Sequence, residues 1–177
     1  MTQQTRALPD AEQLLSQLAA QLKPVITGHT ALVGIHSGGV WMMERLLPML
    51  GNKLEHGRLD VSFYRDDFGQ RGLHQDTQPS QIPFDVEGRH IILIDDVFYT
   101  GRTIRAAMNE LFDYGRPASI SLAVLVNRGG RELPISPQFC AHEMQLPATQ
   151  NLQLMQNDEG MFYLTLQESD LKESEDV

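Results

Sequence analysis

The residues with the clearest capacity for chemistry lie in one stretch, Ile91-Ile92-Leu93-Ile94-Asp95-Asp96-Val97-Phe98-Tyr99-Thr100-Gly101-Arg102-Thr103. An apolar run delivers two adjacent carboxylates, and hydroxyls, a glycine and backbone amides follow at once. If a helix opens within residues 100–103, its first-turn N–H groups and the positive end of its dipole favour a phosphate monoester. Thr100 and Thr103 add hydroxyl donors, and Gly101 lets the backbone approach a phosphate closely. Arg102 either adds charge or points to solvent. Asp95 and Asp96 would repel a phosphate, so they must serve another part of the ligand. They suit the two hydroxyls of a ribose, or a magnesium ion bridging that diol to a pyrophosphate. The plainer alternative, a capped helix after a buried strand with solvated aspartates, leaves Thr100-Gly101-Arg102-Thr103 without a reason.

Such a site needs a strand ending at the aspartates and a helix just beyond them. Residues 90–94 form the apolar run, and Ile104, Ala107, Met108, Leu111 and Phe112 fall on one helical stripe that ends at Gly115 and Pro117. Upstream, Asp10 can cap a helix over residues 10–22, with Leu14, Leu15, Leu18 and Leu22 on one face. Residues 31–35 read as a short strand, His36-Ser37-Gly38-Gly39 as a turn, and residues 40–50 as a helix. Leu59, Val61 and Phe63 alternate with polar residues as in a strand. Residues 65–83 carry charges, Gly69, Gly72, Pro79 and Pro83 without a period, which marks a candidate lid. Residues 119–126 are a further buried strand, and weaker strand signals lie at 139–143 and 161–166. Alternating strands and helices predict a mostly parallel sheet flanked by helices, with ligand at the carboxyl ends of the strands.

With 177 residues, 41% of them hydrophobic, the chain has the length of one domain, and the acidic tail from about residue 168 is expected to fray. A formal net charge of −9 excludes a global basic field for nucleic acid or anionic membranes. Cys140 is the only cysteine, so the reducing cytoplasm is the expected compartment, and no stretch reaches the length of a membrane span.

A ligand with a phosphate at one end and a diol and pyrophosphate at the other is phosphoribosyl pyrophosphate (PRPP). Residues 91–103 resemble the PRPP-binding signature of type I phosphoribosyltransferases, and Asp-Asp-Val-Phe-Tyr-Thr-Gly-Arg-Thr over 95–103 is similar to the pyrimidine operon attenuator/uracil phosphoribosyltransferase family. Leu32-Val33-Gly34-Ile35, Tyr64-Arg65-Asp66-Asp67, Gly115-Arg116-Pro117-Ala118-Ser119, Leu122-Ala123-Val124-Leu125-Val126 and Arg131-Glu132-Leu133-Pro134-Ile135 stand in that family's order and spacing, so the resemblance covers nearly the whole chain. It implies an α/β type I phosphoribosyltransferase fold with a small hood. It also implies the conversion of uracil and PRPP to UMP and pyrophosphate, with magnesium, inversion at the anomeric carbon and an oxocarbenium-like transition state.

On this resemblance Asp95, Asp96, Val97, Phe98, Tyr99, Thr100, Gly101, Arg102 and Thr103 bind PRPP. Asp95 and Asp96 act on the ribose and the metal, and Arg65 meets pyrophosphate charge from the lid. His36, Ser37, Gly38 and Gly39 occupy the pyrophosphate turn, where His36 and Gly38 replace an expected Lys and Arg. That turn is either an anion nest of backbone amides or a merely structural turn. Val126, Asn127 and Arg128 form the base-recognition edge, with Asn127 in place of an expected aspartate.

The family also implies UMP or UTP as effectors, a homodimer or larger homo-oligomer, and messenger RNA as a partner. The RNA surface is thin here: Gln17, Ala20, Gly130 and Ser136 stand at expected basic positions and only Arg131 is kept, which argues against retained attenuation. A catalytically weak, nucleotide-sensing regulator of pyrimidine genes is the alternative reading, and a purine-type phosphoribosyltransferase a weaker one.

Overall fold

The computed structural model describes residues 7–51, 53–61 and 79–168. Helix α1 (Ala11–Leu22) starts where Asp10 accepts hydrogen bonds from the N–H groups of Glu12 and Gln13, at 2.9 and 3.2 Å. Its buried side chains, Leu14, Leu15, Leu18 and Leu22 among them, form the stripe that the leucine spacing predicts. Strand β1 (Thr30–Ile35) is buried along its whole length and leads into α2 (Gly38–Leu50). Then come β2 (Glu55–Leu59), β3 (His90–Phe98), α3 (Arg102–Asp113), β4 (Ser119–Asn127), β5 (Phe139–Glu143), β6 (Gln150–Gln156) and β7 (Phe162–Glu168).

Five strands form a parallel sheet in the order β2-β1-β3-β4-β5, and β6 and β7 pair antiparallel in a separate small sheet. Because side chains alternate across a strand, β3 sends Ile92 and Ile94 into one core and Ile91 and Leu93 into the other. The first core takes in α1, α2 and the β6–β7 hairpin; the second is closed by Ile104, Ala107 and Leu111 of α3. With both faces covered, the strands read as continuous apolar runs rather than alternating ones.

Several boundaries differ from the sequence expectation. The strand expected around Leu59, Val61 and Phe63 lies earlier, as edge strand β2, and residues 62–64 lie outside the described residues. Glu55 and His56 are exposed because only β1 pairs with that strand inside the sheet, which blurs its pattern. Strand β3 continues through both aspartates to Phe98 instead of stopping at Ile94. Gly38 and Gly39 belong to the first turn of α2, not to a turn preceding it. The reason is packing: a Cβ at Gly39 would run into the Ile94 carbonyl oxygen, so glycine is what lets α2 cross this close to β3. Strand β6, rich in glutamine, carried too weak an apolar signal to be expected. The candidate lid falls largely outside the described residues, at 65–78, together with Arg65; so does the acidic tail beyond Glu168. No helix among the described residues is long and apolar enough to cross a membrane.

Candidate active site

The strand order reverses between β1 and β3. Strand β1 leads into α2 and β3 into α3, so two helix N-termini open side by side at the carboxyl edge of the sheet. In parallel α/β sheets this divergence of adjacent loops creates the crevice in which ligands bind. The two loops meet at Asp96, where a Cβ on Gly38 would collide with the carboxylate and come within 2.9 Å of the Asp96 Cβ. Position 38 therefore tolerates no larger side chain while Asp96 keeps its place.

Asp95 and Asp96 are both buried, at 3% and 6% exposure, and the Asp96 N–H donates to Asp95 Oδ1 at 3.0 Å. Placing two carboxylates this deep costs solvation, which hydroxyl donors or a cation would offset. After Val97, Phe98 and Tyr99 the chain turns through Thr100 to Gly101, whose φ of +96° is a left-handed conformation open to glycine and strained for a side chain. That single residue switches the chain from strand to helix α3. Thr100 is buried, and its Oγ1 accepts from the Arg102 N–H at 3.2 Å, so the hydroxyl supports the first turn of the helix. The first bond of the helix ladder runs from the Arg105 N–H to the Gly101 carbonyl; the first-turn amides, Thr103 among them, precede that ladder and project from the N-terminus.

The structure adds a contact to the two readings of Arg102. Its guanidinium pairs with Glu132 at 2.7 Å, both side chains about half exposed, and so acts as a strut toward residues 132–133. The N–H groups of Glu132 and Leu133 in turn donate to the Thr100 carbonyl, at 3.0 and 3.2 Å. The segment after β4 thus buttresses the loop, a contact that sequence reading missed because no local pattern announces it.

In the other loop, His36 donates its backbone N–H to the Leu59 carbonyl at 2.9 Å, and the His36–Ser37 peptide is cis. Burial, above all, pulls the His36 imidazole below its ordinary value; the charges of Asp60 and Glu44 oppose this and Arg58 reinforces it. Ser37 precedes α2 without a side-chain capping bond.

At the third side, Val126 and Asn127 of β4 pair with Val97 and Phe98 of β3, bringing the expected base edge beside the loop. Asn127 Oδ1 accepts from the Gly129 N–H at 3.2 Å. Arg128 is buried at 2% exposure, with its guanidinium 3.9 Å from the centroid of the Tyr99 ring and Nη2 donating to the Pro147 carbonyl at 2.9 Å. Arg65 lies outside the described residues, so its place relative to these groups is not part of this geometry.

Among the described residues no three His, Cys, Asp or Glu side chains cluster as a metal cage. The adjacent carboxylates nevertheless fit magnesium, which keeps several waters and takes one or two carboxylates together with phosphate oxygens.

Comparison with known proteins shows the family. Residues 2–145 match the phosphoribosyl transferase domain family. The chain is 54% identical over 134 residues to the bifunctional protein PyrR of Nitrosococcus oceani, covering 75% of this chain and 76% of that protein. It is 50% identical over 155 residues to the bifunctional protein PyrR of Ralstonia nicotianae, covering 85% and 88%. Its fold is similar to that of a hypoxanthine-guanine phosphoribosyltransferase from Bacillus anthracis, with a TM-score of 0.62 at 16% identity over 81% of this chain and 86% of that one.

Proposed function

The chain belongs to the phosphoribosyl transferase domain family and, within it, to the bifunctional PyrR proteins, and on that premise we propose that it is a uracil phosphoribosyltransferase with a second role in regulating pyrimidine genes. The reaction joins uracil to PRPP, giving UMP and pyrophosphate. The observation that carries this reading is the convergence of two helix N-termini on a buried Asp95-Asp96 pair, one loop for each phosphate end of PRPP.

In this reading the amides of 99–103, with the Thr100 and Thr103 hydroxyls, hold the 5′-phosphate against the N-terminus of α3. Asp95 and Asp96 hold the ribose hydroxyls, and the turn of His36, Ser37, Gly38 and Gly39 receives the pyrophosphate through its backbone. Val126 and Asn127 line the base edge, with Arg128 behind them. Arg65 would approach the pyrophosphate from outside the described residues. Magnesium, held through Asp95 and Asp96 directly or through water, would neutralise charge on the departing pyrophosphate. What the protein itself supplies is mainly position: reactants held in line gain most of the advantage that a bimolecular encounter lacks.

The regulatory role has its own support. The pyrophosphate turn holds Gly38, which leaves no room for the cationic side chain expected there while Asp96 keeps its place, so nucleotide sensing with weak turnover is the second reading. UMP or UTP would be the sensed ligand. Uracil, PRPP and these nucleotides are the proposed partners, in a homodimer or larger homo-oligomer. For RNA, the residues at the expected basic positions, Gln17 and Ala20 on α1 and Gly130 and Ser136 after β4, make binding weak. We place the protein in the cytoplasm, where a single free thiol at Cys140 stays reduced.

The test is formation of labelled UMP from uracil, PRPP and magnesium by the purified protein, with hypoxanthine and orotate as controls. Turnover with uracil alone supports the enzyme; binding of UMP without turnover supports the sensor; neither result would overturn both.

A further inference from the structure

We propose that Arg128 is a positioning residue for the phosphate loop, holding Tyr99, and through it the backbone of residues 99–103, by stacking its guanidinium on the ring. The inference rests on the function proposed above and adds to it a residue that acts without touching substrate. It also departs from the direct base contact that family resemblance assigns to Arg128.

Among the described residues, four contacts hold Arg128. Its guanidinium carbon sits 3.9 Å from the Tyr99 ring centroid, and Nη2 donates to the Pro147 carbonyl at 2.9 Å. Its backbone N–H donates to the Phe98 carbonyl and its own carbonyl accepts from the Leu146 N–H, both at 3.1 Å. The residue is 2% exposed, and its guanidinium lies against the Tyr99 ring and the Pro147 carbonyl. A buried guanidinium is costly unless its surroundings answer it, and an aromatic face with a backbone acceptor is one such answer.

Tyr99 has little freedom to leave. Gly130 adopts φ of +86°, and a Cβ there would press on the ring, 2.9 Å from Cδ2. The next residue, Thr100, is tied through its carbonyl to the N–H groups of Glu132 and Leu133. The ring of Tyr99 and the carbonyl of Thr100 are therefore two anchors of the loop within the protein, and apart from the Arg102 N–H, which Thr100 Oγ1 takes, its first-turn amides are left to the ligand. A lysine cannot replace Arg128, because only the planar guanidinium stacks flat on a ring while keeping its N–H fork in plane for a carbonyl.

The experiment compares Arg128→Lys, Tyr99→Leu, Tyr99→Phe and the Arg128→Lys/Tyr99→Leu double variant in the full chain, after matching their thermal melts. Two quantities are read: amide hydrogen exchange in the peptide spanning 97–103 without ligand, and PRPP affinity with the KM for uracil alongside. Arg128→Lys and Tyr99→Leu are expected to speed exchange and weaken PRPP by roughly tenfold while leaving the uracil KM in place, as a desolvated cation–π contact would. Tyr99→Phe keeps the ring and should leave amide exchange in residues 97–103 at the native rate, and the double variant should be no worse than either single one. Native-like exchange in Arg128→Lys, additive losses in the double variant, or a change confined to the uracil KM would each overturn the proposal. If the native protein binds no PRPP, the function proposed above falls, and the exchange measurement still decides whether Arg128 holds the loop.

Discussion

Gly39 and His36 show how much of the site is decided by single atoms. Adding one methyl at Gly39 drives it into the Ile94 carbonyl, a backbone atom that cannot swing aside. Gly39→Ala is therefore expected to destabilise the fold by about 1–3 kcal/mol, the usual range for an overpacked core position, measured as a lower urea midpoint with an unchanged slope. His36 yields a prediction in pH. Its folded imidazole is held below the ordinary value of 6.5, chiefly by burial, so as the medium is acidified the unfolded chain takes up the proton first. The stability linked to His36 is complete above its unfolded value and is lost as pH falls through the lowered folded one. Urea titrations at about pH 7.5 and about pH 5.5 should show a larger loss for the native protein than for His36→Gln. An equal loss in both would remove His36 from the acid sensitivity. At this scale sequence reading named most of the residues but few of their contacts. Thr100, Gly101 and the aspartates announced themselves by type and order; the collision geometry of Gly38 with Asp96, and the stacking of Arg128 on Tyr99, join residues far apart in the chain and leave no local trace.

Among the elements, β3 and α3 were legible because a strand buried on both faces shows as an unbroken apolar run and an amphipathic helix repeats its stripe over several turns. Strands β2 and β6 were not: an edge strand with Glu55 and His56 exposed, and a hairpin strand reading Gln-Asn-Leu-Gln-Leu-Met-Gln, offer few apolar positions to count. The hairpin is held from outside itself. Glu12 of α1 accepts from both Nη atoms of Arg45 on α2, at 3.2 and 2.7 Å, and from the Phe162 N–H of β7 at 2.7 Å. Arg45 also donates to the Gly160 carbonyl at 3.1 Å and lies 5.0 Å from the Phe162 ring centroid. Burial works to raise the Glu12 carboxyl, but the Arg45 and Phe162 hydrogen bonds outweigh it and hold the group below its ordinary value. Two strands alone are marginal in water, so this knot matters more than its size suggests. Glu12→Gln should lower stability by about 1–2 kcal/mol, as loss of a charged hydrogen-bond partner does, and should speed amide exchange in residues 150–168 ahead of the parallel sheet. Unchanged exchange there would show that apolar packing alone secures the hairpin.

For the whole molecule, ligand and stability are coupled because the two loops of the site leave adjacent strands of the central sheet. A ligand that bridges them binds only the folded chain, so saturating PRPP with magnesium at about 100 times its dissociation constant should add roughly 2.7 kcal/mol. In a chain of this size that appears as a melting shift of roughly 5–10 °C, and no shift with PRPP, against one with UMP, would favour the sensor over the enzyme. The Glu12–Phe162 contact has a further consequence, for the order in which the chain is made. Its partners are separated by 150 residues, so at synthesis rates of 5–20 residues per second helix α1 leaves the ribosome roughly 8–30 s before β7 exists to meet it. For that interval α1 can pack on α2, β4 and β5, but the side of this core that the hairpin covers stays open until the last strand arrives.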